Sequence, residues 1–244
     1  MPLKGLFLNP VSALLFATCA VSFPALAHAD TIAWTNWSSG IVGNPGSATG
    51  TIGSISVTYS GQTSGLTSVP SWTPASTFTG GPVGNAPPNA PSVQLEGTTI
   101  WTPLIYESIS FSTPVVDPVI AIWSLGQVGD AASFDFSSKM SQPFILLGGG
   151  ASLEYGGSAL TSSGGVVSGS EGNGLVEFLG TFDTITFTTP NYENYYAFTV
   201  GYDTTLDPGP TPTPSVPEPT TLSLLGLGLV ALPLVRRSLS RFHS

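Results

Sequence analysis

Six glutamates are the side chains of this sequence best suited to chemistry: Glu96, Glu107, Glu154, Glu171, Glu177 and Glu193. Residues 30–215 contain neither histidine nor cysteine. This absence excludes Ser-His-Asp and Cys-His catalysis, as well as zinc sites built on those ligands. Glycoside hydrolysis needs only two acids that flank the scissile bond. A carboxylate-dependent glycan hydrolase is therefore the enzyme class that the composition permits, although no motif in the sequence pairs two of these acids.

Glu107 is the most informative of these acids because it shares its alternate spacing with Ile105 and Ile109. In a strand this spacing directs the carboxyl group toward an apolar face. Burial would raise the pKa of the carboxyl group, as a general acid requires. The alternative, and the commoner arrangement, is a glutamate at a strand edge that is hydrogen-bonded to a backbone amide or to a tyrosine.

Clustered acids also offer oxygen ligands for calcium. The candidate groups are Asp130 with Asp135, residues 170–173, and Asp203 with Asp207. None of them matches an EF-hand loop, and acids in turns are usually solvated or act as caps. We therefore expect no cofactor, with Ca²⁺ left open as an alternative.

The chain has five tryptophans: Trp34, Trp37, Trp72, Trp101 and Trp123. Flat aromatic faces are the surfaces on which sugar rings stack. Trp123 lies in a continuous apolar run and is expected in the core. Trp37 and Trp72 are the candidates for exposure and sugar binding, although packing under a loop is the commoner role for such residues.

The charge of residues 30–215 is one-sided, with 13 acids against the single base Lys139, a net charge of −12. A surface without arginine and nearly without lysine excludes phosphate clamps and nucleic-acid binding. No glycine-rich phosphate-binding loop precedes a helix. Any partner of this segment is therefore expected to be neutral, or to be joined to it through divalent cations.

The pattern of apolar residues predicts strands almost throughout. Residues 51–59, 132–136 and 194–202 alternate apolar and polar side chains, which indicates strands half-buried in an antiparallel sheet. Residues 119–125 are apolar on both faces, which predicts a central strand. About ten short strands separated by Gly, Pro, Ser and Asn predict an all-β domain over residues 30–206, an antiparallel β-sandwich with a jelly-roll-like order.

Two segments interrupt this pattern. Residues 62–92 are long, rich in proline and poor in strand signals, and such a loop is often functional or partly disordered. Residues 207–215 contain four prolines. They predict a semi-rigid polyproline II linker of about 28 Å.

The N-terminus has the features of a secretory signal peptide over residues 1–29. Lys4 supplies a positive charge, an apolar stretch follows, and Ala27 and Ala29 form the small-x-small pattern before a cleavage site. The exported protein is therefore expected to begin at Asp30.

The C-terminus, residues 216–244, combines three features in order. Val216, Pro217, Glu218 and Pro219 precede an uncharged apolar stretch, which arginines follow at positions 236, 237 and 241 (Arg236, Arg237 and Arg241). The 16 residues 220–235 would form about 24 Å of helix against a hydrocarbon core of about 30 Å, a short transmembrane helix. The arginines would keep the C-terminus in the cytoplasm and everything upstream outside.

This C-terminal arrangement closely resembles the PEP-CTERM signal that exosortases recognise in bacteria that make extracellular polysaccharide. The resemblance implies an exported protein that is anchored in the inner membrane during transit, processed by an exosortase-type enzyme, and delivered to the cell surface or the extracellular space. A non-enzymatic protein associated with exopolysaccharide or biofilm matrix is the function we expect. The alternatives are a glycan hydrolase and a plain tail-anchored surface domain without processing.

Overall fold

A computed structural model describes residues 30–68, 72–98, 103–137 and 143–206, and these residues form 15 strands. The first eight are β1 (Ile32–Trp34), β2 (Asn36–Ile41), β3 (Gly43–Ile52), β4 (Ile55–Thr63), β5 (Gly65–Leu66), β6 (Val93–Leu95), β7 (Glu107–Val116) and β8 (Val119–Leu125). The others are β9 (Ala132–Asp135), β10 (Phe144–Ala151), β11 (Ser158–Ser163), β12 (Val166–Ser170), β13 (Gly172–Phe178), β14 (Thr181–Phe187) and β15 (Tyr196–Asp203). Short 3₁₀ helices lie at Ala75–Phe78 and Thr204–Leu206.

The strands form three sheets, and every pairing between named strands is antiparallel. The largest sheet has seven strands in the order β10-β13-β8-β15-β6-β5, with β1 paired to β15. A five-stranded sheet runs β14-β7-β4-β3-β2, and a three-stranded sheet runs β11-β12-β9. The all-β prediction is confirmed, and the arrangement is consistent with a β-sandwich.

The main core lies between the sheets and is rich in aromatic side chains. Phe134 lies at its centre, with ring centroids 5.1 Å from Phe187, 5.6 Å from Tyr196 and 6.1 Å from Phe198. Aromatic pairs at such spacing contribute about 0.5–1.5 kcal/mol each beyond the burial of their area. Because the described residues contain no cysteine, this packing stabilises the domain without disulfides.

The predicted central strand is β8, and all seven of its residues are buried. Ile120 and Ile122 join the main core, whereas Trp123 faces a second apolar cluster on the other side of the sheet. The segment predicted as a functional or disordered loop supplies that cluster with Trp72, Phe78 and others. Its described parts are therefore a packing layer that covers the outer face of the seven-stranded sheet.

Two details of the strand prediction are wrong. Residues 51–59 are not one strand, because a turn at Gly53 separates β3 from β4, and Gly53 has a φ of 56° that suits glycine. β15 is not half-buried, since all eight of its residues are buried. Its second face is covered because Ala197 packs into the same outer cluster as Trp72.

Within the described ranges, no helix is long and apolar enough to cross a membrane. The predicted signal peptide, the linker at 207–215 and the helix at 220–235 lie outside the described residues.

Candidate functional site

An open cleft of about 450 Å³ lies at one end of the seven-stranded sheet. Three adjacent strands meet there, because β8 ends at Leu125 opposite Gly172, where β13 begins, and β15 begins on the other side of β8. Antiparallel pairing places the end of one strand beside the beginnings of its two neighbours. The cleft is lined by Gln127, Val128, Tyr155, Glu171, Glu193, Asn194 and Tyr195.

The turn after β8 positions both glutamates through the backbone of Gly126. Its amide donates to Oε2 of Glu193 at 2.6 Å, and its carbonyl accepts from the amide of Glu171 at 2.9 Å. Gly126 has a φ of 80°, and a Cβ atom there would lie 2.1 Å from the carbonyl oxygen of Gly169. Only glycine therefore fits this position without displacing the turn.

Glu171 occupies the single residue between β12 and β13 and has a φ of 56°, an unusual conformation for a residue with a side chain. Its Oε2 accepts a hydrogen bond of 2.5 Å from the hydroxyl of Ser124. Ser124 is fixed in turn, since its amide donates to Oδ1 of Asn173 at 2.9 Å. These bonds hold the Glu171 carboxyl group in one orientation at the cleft.

Glu193 is the more deeply placed of the two acids, with 3% of its surface exposed. The pKa of Glu193 is raised to about 8, chiefly by burial and also by the neighbouring charges of Glu171 and Asp130, while the bond from Gly126 opposes the shift. At neutral pH the cleft therefore contains a protonated Glu193 beside a second carboxyl group. This is the convergence of two acids that no sequence motif displayed.

Two tyrosines form the aromatic wall of the cleft. The hydroxyl oxygens of Tyr155 and Tyr195 lie 3.5 Å apart, and both rings pack against Trp123, with centroid distances of 6.1 Å and 5.5 Å. Burial raises the pKa of Tyr195 to about 12, and the adjacent Tyr155 and Glu154 add to the shift. Tyr155 is half-exposed, so its ring is accessible to a ligand.

Glu107 lies in the main core and not in the cleft. It is 1% exposed, and its two carboxyl oxygens are hydrogen-bonded to the hydroxyls of Tyr59 and Thr189. The prediction of burial is confirmed, and burial raises its pKa to about 7. The tyrosine bond is the structural arrangement that the sequence offered as the alternative to catalysis.

Trp37 and Trp72 are buried, so they have the packing role that is the commoner one for such residues and not the exposed, sugar-binding role. Trp37 is 2% exposed and donates its indole N–H to Oγ1 of Thr199 at 3.1 Å. Trp72 is 5% exposed and packs edge-on against Phe78, with centroids 5.1 Å apart. Neither ring offers an open face to a sugar, because Trp37 lies in the main core between the sheets and Trp72 lies within the outer packing layer.

The candidate calcium groups have local hydrogen-bonding roles. Oδ1 of Asp135 accepts from the amide of Ser137 at 2.8 Å, and Oδ1 of Asp203 accepts from the amide of Thr205 at 2.9 Å. Asp207 lies outside the described residues. No group of three or more acidic, histidine or cysteine side chains is placed to hold a metal ion in the described part of the chain.

Sequence reasoning missed the aromatic half of the cleft and its amides. No sequence motif assigns a ligand role to Tyr155, Asn194 or Tyr195. One signal was available, since residues 191–195 read Asn-Tyr-Glu-Asn-Tyr, a run in which two aromatic rings, two amides and one acid stand directly before β15. Such density of side chains able to contact sugars is unusual in a turn.

The C-terminus matches a known protein family. The family model of the PEP-CTERM protein-sorting motif covers residues 215–241. The chain ends in a PEP-CTERM sorting motif. The match contains Pro217, Glu218 and Pro219 as well as the three arginines. The PEP-CTERM motif indicates an exported protein that passes through the membrane to the surface and is processed by an exosortase-type enzyme. No curated protein and no solved structure matches the chain.

Proposed function

We propose that this protein is a non-enzymatic surface or matrix protein that binds extracellular polysaccharide in the cleft at the end of β8. The observation that carries the proposal is the meeting of Tyr155 and Tyr195 with Glu171, Glu193 and Asn194 in one open cavity. Tyrosine rings supply apolar faces for sugar rings, and carboxyl and amide groups bond to hydroxyls. The PEP-CTERM motif supports a location where such polymers are found.

The proposal extends to how the protein reaches its ligand. The domain passes the inner membrane with its C-terminal helix as a temporary anchor, an exosortase-type enzyme removes that helix, and the domain joins the exopolysaccharide or biofilm matrix. Binding uses no cofactor, so a chelator is expected to leave it unchanged. A chelator that abolishes binding would instead favour bridging by calcium.

Titration of the protein with neutral oligosaccharides and with the producing cell's own exopolysaccharide tests the binding site. Tyr155→Ala is expected to weaken binding about tenfold because it removes an accessible ring from the cleft. Tyr106→Ala is the matched control, since Tyr106 is 54% exposed and Tyr155 is 51% exposed, but Tyr106 does not line the cleft. Equal effects of the two substitutions would contradict the assignment of the cleft.

A second candidate function is glycan hydrolysis, favoured by the placement of Glu193 beside Glu171. A protonated Glu193 could donate its proton to the leaving oxygen while Glu171 acts as nucleophile or base. Release of new reducing ends from labelled matrix polysaccharide, abolished by Glu193→Gln, would establish this reaction. Binding without any such release supports the non-enzymatic proposal.

A further inference from the structure

The charge around the cleft has one sign. The described residues contain no lysine, arginine or histidine, so every charge on their side chains is negative. Beyond Glu171 and Glu193 in the lining, the charge of Asp130 acts on Glu193 and that of Glu154 acts on Tyr195. A neutral sugar would leave the charged carboxyl groups around Glu193 without a counter-charge, whereas a cation would supply one.

The aromatic wall suits the same kind of ligand. A cation is attracted to the face of a tyrosine or tryptophan ring within about 6 Å of its centre. Tyr155 and Tyr195 line the cleft, and Trp123 packs against both. Trp123 supports this wall from the second apolar cluster and is not itself among the residues that line the cleft.

An ammonium group alone would not fill a cleft of this size. The cavity of about 450 Å³ is open to solvent and is also lined by Gln127 and Asn194, whose side chains carry amide groups. Amide groups both donate to and accept from hydroxyls, as a sugar ring requires. The lining therefore combines amide groups that can bind the hydroxyls of a sugar ring with carboxyl groups and tyrosine rings that can bind a positive charge.

We propose that the cleft selects polysaccharide segments that carry ammonium groups, in particular oligomers of glucosamine over their N-acetylated forms. This inference rests on the proposed glycan binding and names its ligand class. The ammonium group pairs with the carboxylate of Glu171 and donates a hydrogen bond to the uncharged carboxyl group of Glu193. It lies against the tyrosine wall, while the ring hydroxyls bond to the amides.

Calorimetric titration with two matched probes tests this preference. The probes are a short glucosamine oligomer and the fully N-acetylated oligomer of equal length, compared at about pH 6, where aliphatic ammonium groups are charged. The glucosamine oligomer is expected to bind about tenfold more tightly. The preference should shrink as salt is added, because the ion pairs at the open cleft are screened.

Two substitutions, Glu171→Gln and Asp183→Asn, distinguish the effect of a charge in the cleft from the effect of the protein's net charge. Each removes one negative charge, but Asp183 is exposed on β14, an edge strand of the other large sheet. Glu171→Gln is expected to lower the glucosamine preference about fivefold, and Asp183→Asn should leave it unchanged. Thermal melting of each variant establishes that it is folded before it is titrated.

The outcomes distinguish this inference from the proposed function. Equal binding of both oligomers would overturn the ammonium preference while the glycan site stands. No binding of either would overturn both. A simple diamine that binds as tightly as the glucosamine oligomer would overturn the sugar class, since the cleft would then recognise charge alone.

Discussion

Gly126 donates its backbone amide to the carboxyl group of Glu193 at 2.6 Å. The two residues lie far apart in sequence, and the bond joins the turn after β8 to the segment before β15. The same glycine accepts from the amide of Glu171. One residue without a side chain therefore sets the relative positions of the two acids in the cleft.

Gly126→Ala is predicted to disrupt both the cleft and the fold around it. A Cβ atom at this position would clash with the carbonyl oxygen of Gly169, and the backbone has a positive φ. We expect the free energy of unfolding to fall by more than about 2 kcal/mol, with loss of glycan binding in the protein that remains folded. Urea unfolding and titration with the glycan measure the two effects.

Gly129→Ala is the control for this substitution. Gly129 has a φ of 91° in the same turn, but nothing lies within 4 Å of a Cβ atom built there. Its cost should be limited to backbone strain of about 1 kcal/mol. If Gly126→Ala and Gly129→Ala reduce the free energy of unfolding equally, the clash with Gly169 is not the cause of the destabilisation at Gly126.

The hydrogen bonds of Glu107 predict how stability changes with pH. Tyr59 has one hydroxyl proton but lies within bonding distance of both Glu107 and the carbonyl oxygen of Gln62. A protonated Glu107 resolves this, because the acid donates to Tyr59 and Tyr59 donates to Gln62. The folded protein therefore favours the neutral acid, which agrees with a pKa raised by burial to about 7.

The sign of the pH dependence follows from that raised pKa. The stabilisation from Glu107 is complete below about pH 4.5, its unfolded value, and is lost as pH rises to about 7. The free energy of unfolding should fall by roughly 3 kcal/mol over this window through Glu107. Glu193 contributes in the same direction up to about pH 8. Urea unfolding at a series of pH values measures the slope.

Glu107→Gln should flatten this profile between about pH 5 and 7, since the amide does not titrate. The slope due to Glu193 should persist in this variant. Asp183→Asn, which removes one negative charge from an exposed position, shows how much of the change comes from net charge alone. A Glu107→Gln variant with an unchanged slope would show that Glu107 is ionised in the folded protein throughout.

The central strand and the core could be predicted from sequence because they depend on local patterns. Val119 to Leu125 is apolar at nearly every position, and a strand with two apolar faces must be covered on both. The cleft depends on register instead, since Glu171 and Glu193 meet only when β13 and β15 pair with opposite sides of β8. The proline-rich sequence around Trp72 is typical of a surface loop, and only the packing of this segment on the outer face of the seven-stranded sheet shows that Trp72 is buried.

Trp72→Ala is predicted to reduce stability and not glycan affinity. The substitution would leave a cavity beside Phe78 under the outer packing layer, at a cost of about 3–5 kcal/mol. Tyr192→Ala, at a residue that is 48% exposed, should change stability by less than about 0.5 kcal/mol. A Trp72→Ala variant that keeps its stability but binds the glycan more weakly would contradict this prediction and indicate that Trp72 contacts the ligand.

The two ends of the chain predict the mass of the surface protein. Cleavage after Ala29 and removal of the PEP-CTERM helix should leave a protein that begins near Asp30 and ends close to Pro217, Glu218 and Pro219. Mass spectrometry of both termini measures this. An intact C-terminus at Ser244 would favour a tail-anchored protein without processing.

The scarcity of basic side chains has a consequence outside the cell. Proteases of the trypsin type recognise a lysine or arginine because a carboxylate at the base of their specificity pocket pairs with its charge. Lys139 is the only lysine or arginine in residues 30–215. Such a protease can therefore cut this whole stretch at one peptide bond, even when the domain is unfolded.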